Sequence, residues 1–319
     1  MALLVSGLHP AGIDEPRLVA LAREIAASGT AVVTPDIAEL SRFEITPAIT
    51  DAIEAAALWL SELSKADGDR RIALMGISFS GGLSVVAAGR RSLSDRVAYV
   101  LSFGGHDDLP RVLRYLCTGT EPLPPGQLGL GTSAARGGIR QTFVRPPHDY
   151  GVAVILLGVA DQLVPPPQVD RLRDAVRRFL QASALVRLDK HRAEEEFGEL
   201  RTLAATLPEP SATLLRYVND RDVVHLGARL LPYVGRYGGA PSLSPSRSPK
   251  PTAPVFLLHG TDDNIIPTVE AEYLAGDVRG HAPVRLLLSD LISHASADRP
   301  AGVGEVMRLA GFWGDLLGR

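Results

Sequence analysis

An apolar run from Arg71 to Met75 leads into Gly76-Ile77-Ser78-Phe79-Ser80-Gly81-Gly82, a hydroxyl set among small residues where a strand gives way to a helix. A serine at so sharp a turn adopts a strained backbone and presents its oxygen beyond the strand end. Residues two positions away on either side must then be small to avoid clashing across the turn. With Ser78 at the turn those neighbours are Gly76 and Ser80; with Ser80 there, they are Ser78 and Gly82. The first register is preferred, because the strand then ends on Ser78 and Gly81 and Gly82 fall in the first helical turn, where helix and strand pack closely. A serine oxygen is a weak nucleophile until a base takes its proton, so this chemistry also needs an imidazole and a group to orient it.

Both residue types occur further along. The strand Val255–Leu258 breaks at His259-Gly260-Thr261-Asp262-Asp263, which sets two carboxylates in a strand-end turn, where Asp also serves simply to make the turn. Asp107 and Asp108 follow another strand, ending at Phe103, and are the fallback acids. Ser293-His294-Ala295 follows the strand Val284–Leu288 by a short loop, which puts an imidazole at the same edge of the sheet. His281 precedes that strand and belongs to the opposite edge, and His259 belongs to the strand-end turn.

These residues need a sheet to hold them. Apolar runs alternate with helical patterns over residues 3–103, with strands at Leu3–Ser6, Ala31–Thr34, Arg71–Gly76 and Val97–Phe103 and helices near 15–28, 47–64 and 79–89. The rhythm resumes at Val255–Leu258, a helix at 268–275, Val284–Leu288 and a closing helix at 302–317. Such alternation predicts an α/β fold with a mainly parallel, doubly wound sheet. Pro16 behind Asp14 and Glu15 suits a helix start, and Gly29 its end. Between the two blocks, helical patterns dominate at 152–164, 168–180, 192–207 and 211–234. Gly/Pro-rich connectors are expected at 119–138 and 238–254.

Composition excludes several functions. The 319 residues carry 33 basic and 36 acidic side chains, a net charge of -3, with no basic run interleaved with aromatics, so nucleic acid is not expected as a partner. Lys65, Lys190 and Lys250 are the only lysines, a codon bias rather than a phosphate-binding design. No stretch approaches the ~20 apolar residues that span a bilayer. The single cysteine, Cys117, excludes an intrachain disulfide and any multi-cysteine zinc site. A cytoplasmic location is expected from the lack of a secretory leader pattern.

The serine turn, the His-Gly…Asp loop, the late histidine and the loop Ser6-Gly7-Leu8-His9-Pro10 resemble, in this order, the α/β-hydrolase family over residues 1–104 and 252–319. Residues 105–251 fall outside the resemblance. They are expected to form a helical cap inserted between two core strands, one that roofs the site and sets substrate choice. The sheet is expected to lack the family's usual first two strands. The resemblance implies a serine hydrolase of the carboxylesterase kind, with Ser78 as nucleophile, His294 as base and Asp263, fourth after His259, as the orienting acid. Backbone N–H groups of Leu8 and Phe79 would form the oxyanion hole. It implies no metal and no organic cofactor, and a small-molecule acyl ester as substrate. An acyltransferase or peptidase with the same triad, or a hydrolase-fold ligand-binding protein that turns over poorly, are the alternatives.

Overall fold

Strands buried on both faces lose the in-out alternation of a half-exposed sheet and become continuous apolar runs. Leu3-Leu4-Val5, Ala73-Leu74-Met75 and Val255-Phe256-Leu257-Leu258 are such runs, and every one of these residues is buried. The computed structural model describes residues 1–65, 68, 70–125, 142–292 and 302–318. In chain order its strands are β1 (Ala2–Val5), β2 (Val32–Val33), β3 (Ile72–Ile77), β4 (Val97–Phe103), β5 (Thr120–Pro122), β6 (Thr142–Val144), β7 (Val255–Gly260) and β8 (Val284–Ser289). The chain divides into two units, 1–41, 46–109 and 240–319 in the first and 42–45 with 110–239 in the second.

The first unit holds a six-stranded sheet of order β2-β1-β3-β4-β7-β8, in which every described neighbour pair is parallel. One face carries Ala2, Leu4, Ala73, Met75, Tyr99, Leu101, Phe256 and Leu258. It is covered by Leu18 and Ile25 of the helix Pro16–Ala27 and by Phe312 and Leu316 of the helix Val303–Leu317. Helices Pro47–Lys65, Phe79–Ala88 and Thr268–Val278 pack on the sheet as well, through the buried Ile49, Ile53 and Leu60, Leu83 and Val86, and Leu274 and Val278.

The strand order reverses at β1. The chain leaves β1 toward β2 on one side and returns to β3 on the other, so the loops after β1 and β3 diverge and leave a crevice at their carboxyl ends. Parallel crossovers are right-handed, and a crevice at such a switch point is where open α/β sheets bind ligands. Gly7 and Ser78 stand at the two lips of this crevice, just past Val5 and Ile77.

Local signals act as read. Glu15 caps the helix Pro16–Ala27 by accepting from Leu18 N at 2.7 Å, and Gly29 takes φ +95° just beyond its end. The second unit is mainly helical, with Asp149–Leu163, Pro166–Leu185 and Lys190–Thr206 as its longest helices. The stretch 211–234, read as one helix, is broken into Ser211–Asn219, Val223–Leu230 and the start of Val234–Tyr237. The break follows from Arg221 at φ 55° and from Asp222, whose carboxylate caps the next helix by accepting from His225 N at 3.0 Å. The connector near 119 also contributes β5, paired antiparallel with β6, a ladder too short for sequence pattern to reveal.

Gly76 decides how closely the helix Phe79–Ala88 can follow β3. A Cβ there would fall on the Ser80 carbonyl and the Ser84 hydroxyl, whereas a Cβ at Gly276, exposed within Thr268–Val278, meets nothing within 4 Å. Gly76→Ala is therefore expected to cost about 2 kcal/mol or more through overpacking. Gly276→Ala should gain up to about 1 kcal/mol from helix propensity. Urea unfolding of the two variants beside the parent checks both signs.

Candidate active site

β3 hands over to its helix at one residue. Ser78 sits at φ 55°, ψ -128°, a conformation a side chain reaches only under strain of roughly 1–3 kcal/mol. It is fixed from both sides, its N–H donating to Phe103 O on β4 at 2.7 Å and its carbonyl accepting from Gly81 N at 2.8 Å. The result is a half-buried hydroxyl at the carboxyl edge of the sheet. Ser80, the other register, is 0% exposed, and its Oγ donates to Ser6 O at 2.6 Å. That hydroxyl is a strut between the helix and the loop after β1, with no lone pair facing solvent.

The loop after β1 touches Ser78. A Cβ on Gly7 would lie 3.3 Å from Ser78 Cβ and 3.9 Å from its Oγ, so the backbone leading to Leu8 passes beside the hydroxyl. Phe79 opens the helix, where the first N–H groups lack intrahelical partners and the dipole favours negative charge. In the same loop His9 accepts from Ala11 N at Nδ1, 3.2 Å, which leaves the proton on Nε2 in the neutral ring. Burial lowers its pKa below the ordinary imidazole value, with Glu15 pulling it up and Arg17 pushing it down.

Asp263 stands across β4 from Ser78. Only 2% exposed, it accepts at Oδ1 from Ile265 N, 2.9 Å, and Ile266 N, 3.0 Å. Its Oδ2 lies 3.5 Å from His259 Nε2 and 3.7 Å from the place a Cβ would take on Gly104, the residue directly after β4. His259 donates from Nε2 to Ile266 O at 2.9 Å and so helps hold the same turn. Asp262 points outward and is exposed. Of the fallback acids, Asp108 accepts from Arg247 Nε at 2.8 Å and Ser246 Oγ at 3.1 Å, and Asp107 is buried, its carbonyl accepting from Ser246 N at 3.1 Å.

His294 lies outside the described residues. Two residues before it, the Ile292 carbonyl packs against Gly260 so closely that a Cβ there would overlap it. Asp263 N in turn donates to Gly260 O at 3.3 Å.

From the loop after β4 sequence reasoning took only Asp107 and Asp108 and passed over His106 and the Gly104-Gly105 pair, which signals a close backbone approach. A Cβ on Gly105 would stand 2.6 Å from Gly82 N, and one on Gly82 would stand 2.6 Å from His106 O. The His106 ring stacks on Phe79, centroids 5.3 Å apart and planes 7° from parallel, and donates from Nε2 to Leu243 O at 2.8 Å. Among the described residues no His, Cys, Asp and Glu cluster is arranged to hold a metal ion, and no helix is long and apolar enough to cross a membrane.

No protein-family model matches the chain, and no curated protein does. Solved structures do. A truncated carbohydrate esterase from gut microbiota aligns at 12% identity with a TM-score of 0.50, covering 100% of this chain and 86% of that one. A candidate hydrolase from Legionella pneumophila aligns at 12% identity and a TM-score of 0.51, covering 100% and 78%. The chain also spans about a third, 31%, of a bifunctional GH43-CE protein of Bacteroides eggerthii, at 12% identity and a TM-score of 0.47. At these identities the likeness is one of fold, and the fold is that of the α/β-hydrolases.

The strut role of Ser80 has a measurable consequence. Ser80→Ala removes a buried donor and strands the Ser6 carbonyl, so it should lower stability by about 1–2 kcal/mol while the protein still folds. Thermal unfolding reads the change.

Proposed function

We propose that this chain hydrolyses a carboxylic ester, with Ser78 as nucleophile, His294 as general base and Asp263 as the acid that orients the base. The observation that carries the reading is the Ser78 turn itself. A half-buried serine is held at φ 55° beside Gly7 at the switch point of a parallel sheet, with a carboxylate fixed two strands away. A left-handed backbone at a residue other than glycine is costly, and such strain gathers at functional sites. The carbohydrate esterase among the structural neighbours fits the same reading.

In this mechanism Ser78 Oγ attacks the acyl carbon while His294 takes its proton. His294 follows Ile292 by two residues, a reach of at most ~7 Å of chain, and the Ile292 carbonyl packs against Gly260, the last residue of β7 before the Asp263 turn. Asp263 is suited to its part because the amides of Ile265 and Ile266 fix its carboxylate through Oδ1, and the role assigned to Oδ2 is to accept an imidazole N–H. That bond fixes the tautomer in which the other ring nitrogen faces serine, and it stabilises the imidazolium that forms. The oxyanion is received by the N–H groups of Leu8 and Phe79, the second reinforced by the helix dipole. His294 returns its proton to the departing alcohol, leaving an acyl-Ser78. Water, deprotonated by the same imidazole, releases the acid and restores the serine.

Ser78→Ala is expected to abolish turnover of p-nitrophenyl esters and labelling by a fluorophosphonate probe, with the fold intact by circular dichroism. His294→Ala should do the same to turnover. Asp263→Asn should slow it on the order of 10³–10⁴-fold through the wrong tautomer, while Asp262→Asn stays close to the parent. A fully active Asp263→Asn protein would transfer the acid role to Asp107 or Asp108, and labelling at Ser80 instead of Ser78 would overturn the register.

A further inference from the structure

Glu270 is a carboxylate with no exposed surface, placed in the first turn of the helix Thr268–Val278. Burying such a group without donors is costly, so its contacts mark a built arrangement. Oε2 accepts from two successive backbone amides, Asp107 N at 2.6 Å and Asp108 N at 3.0 Å. Charge-assisted bonds of this kind are the stronger ones, and the helix N-terminus favours the charge as well.

What the carboxylate grips is the loop after β4, and that loop touches both halves of the proposed machinery. Its first residue, Gly104, faces Asp263 Oδ2. Its third, His106, lies flat against the Phe79 ring and nests over Gly82, so it sets how the first turn of the Ser78 helix sits and where the Phe79 N–H points. Asp263 follows β7 and Glu270 lies in the helix after it, so the loop begins beside Asp263 and is gripped by Glu270 at its fourth and fifth residues. A displacement of the loop therefore reaches the acid and the oxyanion donor together.

We infer that Glu270 is a positioning residue of the hydrolytic site, acting through the Asp107 and Asp108 amides on the loop that aligns Phe79 and Asp263. This rests on the hydrolase reading above. Its chemistry needs an acceptor oxygen of the right reach rather than a charge. Glu270→Gln keeps the acceptor, Glu270→Asp withdraws it by one methylene, and Glu270→Leu removes it and leaves the Asp107 and Asp108 N–H groups, the first of them buried, without this acceptor.

The test measures kcat and KM on p-nitrophenyl acetate together with hydrogen–deuterium exchange of the segments 79–83 and 104–109, in the full chain. Glu270→Leu is expected to lower kcat on the order of 10–100-fold with KM within about twofold, since a small misplacement of reacting groups acts on the chemical step. Exchange in both segments should quicken, and Glu270→Gln should restore kcat and protection alike. If Glu270→Leu does not fold, Glu270→Asp carries the same expectation at smaller amplitude. Parental kcat in both the Leu and Asp variants would overturn the inference, as would a loss that Gln fails to restore, or one confined to KM. Should the parent protein neither turn over esters nor take the fluorophosphonate probe, the hydrolase reading fails by itself. Exchange at 79–83 then decides whether Glu270 holds this loop against the helix.

Discussion

Ser78 must turn the chain from a parallel strand into a helix within a single residue, and the packing around it exists to make that turn tolerable. The strained φ of 55° is held by the bond from Ser78 N to Phe103 O and by the helix that begins one residue later. The helix can begin there only because Gly76 lets it fold back over the strand and because Gly82 and Gly105 let the loop after β4 press on its first turn. These contacts are made with backbone atoms, with the His106 ring and with the short hydroxyls of Ser84 and Ser102, and no long flexible side chain stands between them to absorb an error. The strain is therefore over-determined, the condition under which a costly backbone conformation persists.

Sheet topology explains why this turn faces open space. With β2 and β3 on opposite sides of β1, the loops after β1 and β3 cannot cover each other, and Gly7 passes Ser78 at van der Waals distance without closing over it. The hydroxyls of the turn divide accordingly. Ser78 lies at the lip of the crevice, whereas Ser80, one helical step inward, is consumed by the Ser6 carbonyl. Two serines that look interchangeable in the sequence thus have different chemistry, because one oxygen is bonded inside the fold and the other is not enclosed by it.

Much of this was legible from residue order. The apolar runs, Pro16, Gly29 and the Gly-rich turn after Ile77 report local requirements, and local requirements appear in the chain where they act. The break of 211–234 was not legible, since Val218 and Val223 to Leu226 keep a helical pattern and only the left-handed Arg221 interrupts it. The β5–β6 pair and the clamp of Glu270 on the amides of Asp107 and Asp108 join residues far apart in sequence, and no periodicity encodes them. His259 is an intermediate case. It reads as a residue of the strand-end turn but lies within β7, opposite Leu288 of β8, and its bond to Ile266 O reaches over to shape the loop that fixes Asp263.

The same physics bears on why the fold is recognisable here while sequence likeness is slight. Buried strands accept many apolar side chains of suitable volume, so Leu3, Leu74 or Leu257 carry little identity. The proposed oxyanion donors, at Leu8 and Phe79, are main-chain amides that any residue could supply, and Asp263 Oδ1 is held by the main-chain N–H groups of Ile265 and Ile266. What cannot change freely is a short set of positions defined by space: Gly76 and Gly82 under the helix, Gly105 against it, and a residue able to hold φ near 55° at the strand end. A fold specified this way conserves geometry and lets composition drift. The side chains that the proposed chemistry would fix, Ser78 and Asp263 among the described residues, are too few and too far apart to form a long sequence signature.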